Sequence, residues 1–67
     1  MVIVPLQIRK QRLLKGLTQE ELSIRSKVSK KVIIGLENGE ITITTSKTLV
    51  RIAEALKCSV SQIFLQP

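Results

Sequence analysis

Apolar residues recur along the chain at the spacing of amphipathic helices. The clearest case is the fourth predicted helix, where apolar residues repeat at i, i+3, i+4 and i+7: Leu49, Ile52, Ala53 and Leu56. Residues 6–15 are also helical in composition, and Gly16 follows them at the position of a helix-ending glycine. Ser59 and Gln62 have the spacing of a capping box, which predicts a short fifth helix.

The second predicted helix begins where two motifs share one cap. Thr18 and Glu21 have the spacing of a capping box, in which each side chain accepts a hydrogen bond from the other residue's backbone N–H. Leu17 and Leu22 occupy the positions of a hydrophobic staple across the same cap. We therefore predict a helix from this cap to about Ser26.

A third helix is predicted after a short turn at residues 27–28. Ser29 is a good N-cap, and the helix should run to about Glu37. Residues 38–39, an Asn-Gly pair, tolerate the left-handed backbone that stops a helix. The stretch 18–39 is thus predicted to be two short helices joined by a tight turn.

The two ends of the chain are predicted to be extended. Residues 1–4 are mostly β-branched and favour a short strand. We expect this strand to pair with residues 64–66, because the termini of small domains are often close. A dimer surface would then include Ile63 and Leu65. Residues 41–44, a loop or weak strand by pattern, are the competing partner.

Length and composition favour one domain spanning residues 1–67. Apolar residues make up 43% of the chain, which is enough for a helical core. Cys58 is the only cysteine, and a lone thiol indicates a reducing compartment, so we predict a cytoplasmic protein. The apolar run at residues 1–6 is too short to span a bilayer and lacks the basic region of a secretion signal.

The chain lacks the residues that a metal site or a catalytic site requires. The chain has no histidine and one cysteine, so a zinc site has no set of ligands. The five carboxylates are scattered, and Glu20 and Glu21 point about 100° apart on one helix. We predict that the protein is not an enzyme, and that it uses no cofactor and no evident small-molecule ligand.

The charge of the chain favours a polyanionic partner. Eleven Lys and Arg against five Asp and Glu give a net charge of +6. Nucleic acid and an anionic membrane are both compatible with this charge. Phe64 is the only aromatic residue, and this disfavours proteins that read single strands by stacking bases on aromatic rings.

The third predicted helix has two different faces at about 100° per residue. Ile33 and Leu36 mark the buried side. The opposite side is cationic and has a glycine at its centre; it consists of Lys30, Lys31, Ile34 and Gly35. Such a face suits a DNA major groove, where lysines reach base acceptors or phosphates and a glycine allows close approach. The alternative is an ordinary pair of solvated lysines.

Several motifs together resemble the phage repressor and Cro-like (XRE) helix-turn-helix family. They are GLTQEEL at the second helix, VS at the start of the third, ENG at its end, and IAEAL with the tail to Phe64. The resemblance spans about residues 6–64. It implies an all-α, compact five-helix lambda-repressor-like fold. It also implies a sequence-specific regulator of transcription, a repressor that binds a palindromic double-stranded DNA operator as a homodimer with helix 29–37 in the major groove.

The resemblance assigns roles to residues around the turn. Gln19 matches a glutamine that binds a backbone phosphate at the start of the second helix. Ser29, Lys30 and Lys31 match the tip of the recognition helix. Gly35 matches a position that often carries a long polar side chain, so base readout is expected to shift to the lysines and nearby apolar groups.

Further matches concern the support of the recognition helix and its phosphate contacts. Arg12 and Glu37 match an ion pair between the first helix and the end of the third. Asn38 matches a residue near phosphate, where a left-handed turn would aim its backbone N–H. Lys47, at the start of the fourth helix, is a plausible second phosphate contact.

The chain departs from the family pattern in the turn before the third helix, within the third helix and in the turn before the fifth. Lys27 and Lys57 replace common glycines, so both are expected to have positive φ at a cost of about 1 kcal/mol each, and Lys27 is expected near phosphate. Ile34 replaces a small polar residue; it either contacts a thymine methyl or, as we favour, packs against the domain or a partner subunit. Val32 has the same two interpretations. An antitoxin-like or other protein-interaction module on the same fold is the alternative function.

Overall fold

Five helices and two short strands make up residues 2–3, 7–41 and 43–63, which are the residues that this computed structural model describes. The elements in chain order are β1 (Val2–Ile3), α1 (Ile8–Leu14), α2 (Gln19–Ser26), α3 (Lys30–Asn38), β2 (Ile43–Thr44), α4 (Ser46–Ala55) and α5 (Val60–Ile63). The predicted all-α, five-helix fold is confirmed.

Side-chain caps define where three of the helices begin. The capping box at α2 is complete, with Thr18 N–H donating to Glu21 Oε1 (2.9 Å) and Glu21 N–H donating to Thr18 Oγ1 (3.0 Å). The hydroxyl of Ser29 accepts the Val32 N–H at the start of α3. The corresponding cap of α4 is Thr45. These caps satisfy backbone donors that have no partner inside the helix.

Positive φ angles mark four of the helix ends and turns. Lys27 has φ 60° and Lys57 has φ 55°, so both lysines adopt the left-handed conformation expected of them. Gly16 follows α1 with φ 70°, as predicted for a helix-ending glycine. The left-handed turn expected at Asn38 is wrong, because Asn38 is the last residue of α3 and Gly39, with φ 85°, makes that turn; the predicted phosphate contact of Asn38 stays a prediction.

The strand near the N-terminus pairs with β2, which was the competing partner in the sequence. The pairing is antiparallel, with Val2 opposite Thr44 and Ile3 opposite Ile43. The favoured partner, residues 64–66, lies outside the described part of the chain. The β-branched residues of β2 suit an extended conformation, and the segment continues directly into the cap of α4.

The core is aliphatic and draws on all five helices. Its buried residues are Ile8, Leu17, Leu22, Val28, Ile33, Leu36, Leu49, Ile52, Ala53, Leu56 and Ile63. All four residues of the predicted α4 pattern are among them. Ile63 is fully buried in the core of its own chain, so its expected place in a dimer surface is wrong; Leu65, the other residue expected there, lies outside the described residues. Cys58 packs against this core, and burial raises the pKa of its thiol.

Candidate nucleic-acid interface

The turn between α2 and α3 is closed by side chain to backbone hydrogen bonds. Ser23 Oγ donates to the carbonyl of Val28 (2.7 Å), and the Val28 N–H donates to Ser26 Oγ (3.2 Å). Val28 itself is buried in the core. Lys27, in the left-handed conformation, is thereby the exposed residue of the turn. These hydrogen bonds lie within six residues and fix the orientation of α3 relative to α2.

The far end of α3 is tied to α1 by an ion pair. Arg12 Nε and Nη2 donate to the two carboxylate oxygens of Glu37 at 2.8 and 2.9 Å. Arg12 Nη1 also donates to the carbonyl of Leu17 (2.9 Å). The hydrogen bond to Glu37 raises the pKa of Arg12. Three donors of one planar guanidinium therefore join α1, the start of α2 and the end of α3.

Gln19 takes part in the same cluster. Its Nε2 donates to Glu37 Oε1 at 3.3 Å, and its side chain is half-buried. The second N–H of this amide and the backbone N–H remain as donors for an external acceptor. A phosphate contact by Gln19 would therefore have to share its side-chain amide with the carboxylate of Glu37.

The outward face of α3 consists of four residues: Lys30, Lys31, Ile34 and Asn38. At about 100° per residue they project within an arc of about 100°. The side chain of Asn38 is restrained, since its Oδ1 accepts the Glu40 N–H at 2.9 Å. Its amide nitrogen is therefore the end that is available to donate to an external acceptor.

Three other predicted contact residues are exposed. Ser29 lies at the cap of α3, Lys27 lies in the turn before it, and Lys47 lies in the first turn of α4. The exposure of these residues leaves the predicted phosphate contacts sterically open.

Gly35 does not belong to the outward face, so its predicted role in close approach to DNA is wrong. It is buried, and the Ile41 N–H donates to its carbonyl at 2.9 Å. A Cβ added at Gly35 would lie 2.6 Å from both Cγ1 and Cδ1 of Ile41. The glycine is needed because the chain returns across α3 after Gly39. Helical periodicity did not predict this contact. The sequence feature that indicates it is Ile41, an apolar residue two positions after the helix-ending Gly39, because such a residue often packs back on the last turn of the helix.

Val32 also faces inward. It is half-buried and packs against the core, so the packing interpretation holds for this residue. Ile34 differs, because it retains 36% exposure and lies outside the core cluster. Packing against its own domain, one part of the favoured interpretation, therefore leaves about a third of Ile34 exposed, and packing against a partner subunit stays a prediction.

Two kinds of feature are absent from the part of the chain that is described: groups of metal ligands and helices that could span a membrane. Across residues 7–41 and 43–63, no three His, Cys, Asp or Glu side chains are grouped so as to hold a metal ion. No helix in these ranges has the length and apolar character needed to cross a membrane.

A helix with an exposed cationic face, set on a second helix by a short turn and fixed at its end by an ion pair, defines a helix-turn-helix DNA-binding protein. The chain belongs to the helix-turn-helix family of the XRE type, whose family model matches residues 8–63. It is a DNA-binding regulator of transcription.

A solved structure supports the same class. The chain is similar to the restriction-modification controller protein C.AhdI from Aeromonas hydrophila, with 28% sequence identity and a TM-score of 0.79. The match covers 87% of this chain and 86% of that chain. No curated protein sequence matches the chain.

Proposed function

We propose that this protein represses transcription by binding a palindromic operator as a homodimer, with α3 in the major groove. The observation that carries the proposal is the outward face of α3. It exposes two lysines and the amide of Asn38 on a helix whose end is fixed by the ion pair of Arg12 and Glu37. A fixed helix presents these donors to base edges without a large entropic cost of ordering.

Phosphate contacts would come from residues on both sides of this face. Lys27 in the turn and Lys47 at the start of α4 are exposed cations, and Gln19 lies in the first turn of α2. A helix N-terminus favours negative charge, so the backbone N–H groups there add to the attraction. These contacts set the position of the protein on DNA, whereas α3 supplies the sequence preference.

A homodimer on a palindrome is proposed because one α3 reads only a short segment of DNA. Two copies related by a two-fold axis would place their helices in successive major grooves, roughly 34 Å apart. Doubling the contacts in this way brings the specificity of a small chain into the range needed to find one operator in a genome.

The test begins with selection of binding sites from a random duplex library. Gel-shift titrations of the selected duplex at several salt concentrations then give the affinity and the number of phosphates neutralised. We expect Lys31→Ala to weaken specific binding by about tenfold. Lys57→Ala is the control, since it removes the same charge from the turn before α5 and should leave specific binding within about twofold.

The remaining parts of the proposal have separate readouts. Analytical ultracentrifugation of the complex should show two chains on one palindromic duplex. A reporter placed behind the selected site should be transcribed less when the protein is expressed. Binding to all duplexes with equal affinity would overturn the proposal, and would favour a protein-interaction module on the same fold.

A further inference from the structure

Ile34 is an aliphatic residue at the middle of a polar helix face. Lys30 and Lys31 precede it by four and three residues, and Asn38 follows it by four, so all three are its neighbours on the helix surface. All three are exposed, and Ile34 itself is 36% exposed. The core takes Ile33 and Leu36 from the same helix. The exposed part of Ile34 is therefore available to contact a molecule that binds the outward face of α3.

The two flanks of α3 leave no room for Ile34 to turn inward. On one flank Ile33 is buried in the core, and on the other Gly35 lies under the side chain of Ile41. Ile34 projects between these flanks, about 100° from each neighbour in the helix. Exposure of its apolar surface to water has a free-energy cost that an apolar contact outside the chain would remove.

The major groove contains one apolar group, the C5 methyl of thymine. Its other features are hydrogen-bond donors and acceptors, which Ile34 cannot pair. We infer that Ile34 reads thymine, by packing its side chain against the C5 methyl while the flanking lysines bind nearby acceptors or phosphates. This inference rests on the proposed insertion of α3 in the major groove, and it assigns a specificity-determining residue to it.

A protein partner fits the surroundings of Ile34 less well. The centres of protein interfaces are depleted in charged residues, whereas two lysines adjoin Ile34. A second copy docked symmetrically through this face would bring each lysine pair towards its own equivalent, and like charges repel. A polyanion carrying methyl groups matches both the charges and the apolar centre.

The experiment replaces thymine by uracil, which differs only in lacking the C5 methyl. Each thymine of a selected duplex is changed in turn, and affinity is measured for the wild type and for Ile34→Ala. For the wild type we expect about a fourfold loss at one thymine per half-site, the value of one buried methyl. Ile34→Ala should bind the thymine and uracil duplexes equally.

Val50→Ala is the matched control. Val50 is an aliphatic residue of α4 with 44% exposure, comparable to that of Ile34, and it lies outside the proposed reading face. This variant should keep the full difference between thymine and uracil. Unfolding curves check the fold of each variant, and we expect Ile34→Ala to melt close to the wild-type temperature because Ile34 lies outside the core cluster.

The outcomes separate this inference from the proposed function. If no duplex is selected, the proposed function fails. If a duplex is bound specifically but every uracil is tolerated, or if the selected site has no thymine facing α3, the role of Ile34 is overturned and the proposed function stands. A uracil effect that persists in Ile34→Ala also overturns it, because another residue then reads the methyl.

Discussion

Arg12 of α1 and Glu37 of α3, which are 25 positions apart in sequence, form an ion pair with two hydrogen bonds. The guanidinium and carboxylate groups meet at 2.8 and 2.9 Å, and their side chains are 10% and 4% exposed. The third guanidinium nitrogen bonds the carbonyl of Leu17. A pair this well shielded from water orients α3 far more rigidly than a solvent-exposed pair would.

Removal of one partner of this pair should destabilise the fold strongly. Arg12→Leu leaves the carboxylate of Glu37 without its counter-ion in a nearly dry site. We expect the free energy of unfolding to fall by about 3 kcal/mol, measured by urea denaturation. The double variant Arg12→Leu, Glu37→Leu should recover part of this loss, since no unpaired charge remains. A loss below about 1 kcal/mol for the single variant would mean that the pair behaves as an exposed one.

Gly35→Ala should destabilise α3 by steric conflict. The new Cβ would meet Cγ1 and Cδ1 of Ile41 at 2.6 Å, so the segment after Gly39 has to shift. We expect a loss of about 1–3 kcal/mol in the free energy of unfolding, although alanine is otherwise the better helix former.

The same conflict predicts a rescue. Ile41→Ala removes both clashing atoms, so the added cost of Gly35→Ala should vanish or change sign in that background. Ile41→Val is the matched control, since it retains a γ carbon on that side and should rescue poorly. Strictly additive free energies of unfolding in the double variants would show that the two residues do not conflict.

Lys27→Gly should separate stability from DNA binding. Glycine relieves the left-handed strain of φ 60°, worth about 1 kcal/mol, and part of this gain is lost to the greater freedom of the unfolded chain. We expect slightly higher stability with weaker DNA binding and a salt slope lower by about one phosphate.

Lys57→Gly supplies the comparison for this variant. Lys57 has nearly the same backbone conformation, with φ 55°, in the turn before α5. It should gain similar stability without a change in the salt slope. Equal effects of the two variants on DNA binding would remove Lys27 from the proposed phosphate contacts.

The capping box at the start of α2 should make the stability of the fold depend on pH. The backbone N–H and hydroxyl of Thr18 bond the Glu21 carboxylate and lower the pKa of this group below its usual value of 4.5. The folded state thus binds the proton less readily than the unfolded state. The stabilisation is present above pH 4.5 and is lost as the pH falls through the lowered pKa.

Thermal melts between pH 7 and pH 3 measure this effect. Glu21→Gln keeps an acceptor for the Thr18 N–H but cannot titrate, so its melting temperature should fall less on acidification than that of the wild type. Glu20→Gln removes a carboxylate from the same turn of α2 without breaking the box, and should follow the wild type. Parallel curves for all three proteins would argue against a contribution from the charged cap.

The helix starts and the left-handed turns were predictable because they depend on contacts within a few residues. Thr18 and Glu21 are three positions apart, and the cap at Ser29 reaches only to the next turn of its helix. The φ angles of Lys27 and Lys57 followed from the glycines that the family has at these positions. The ion pair of Arg12 and Glu37 was likewise reached by resemblance, since no local pattern joins two residues so far apart.

The faces of α3 and the pairing of the strand depended on distant segments. Helical periodicity identified Ile33 and Leu36 as buried, but it treated α3 as having a single packed side. Ile41 returns over the helix and adds a second packed side at Gly35, which the pattern had assigned to DNA. Two segments, residues 41–44 and 64–66, were possible partners of β1, and composition does not give the cost of the loop closure that each pairing requires.

The sequence by itself therefore determined which helices form, where their caps lie and which family the chain resembles. It could do so because capping hydrogen bonds and apolar spacing depend on residues that are only a few positions apart. Only the tertiary structure decided which side chains of α3 reach outward. That choice depends on which parts of the chain cover the helix, and packing of this kind is a property of all the elements together. It removed Gly35 from the outward face, placed Val32 against the core and left Ile34 exposed beside two lysines.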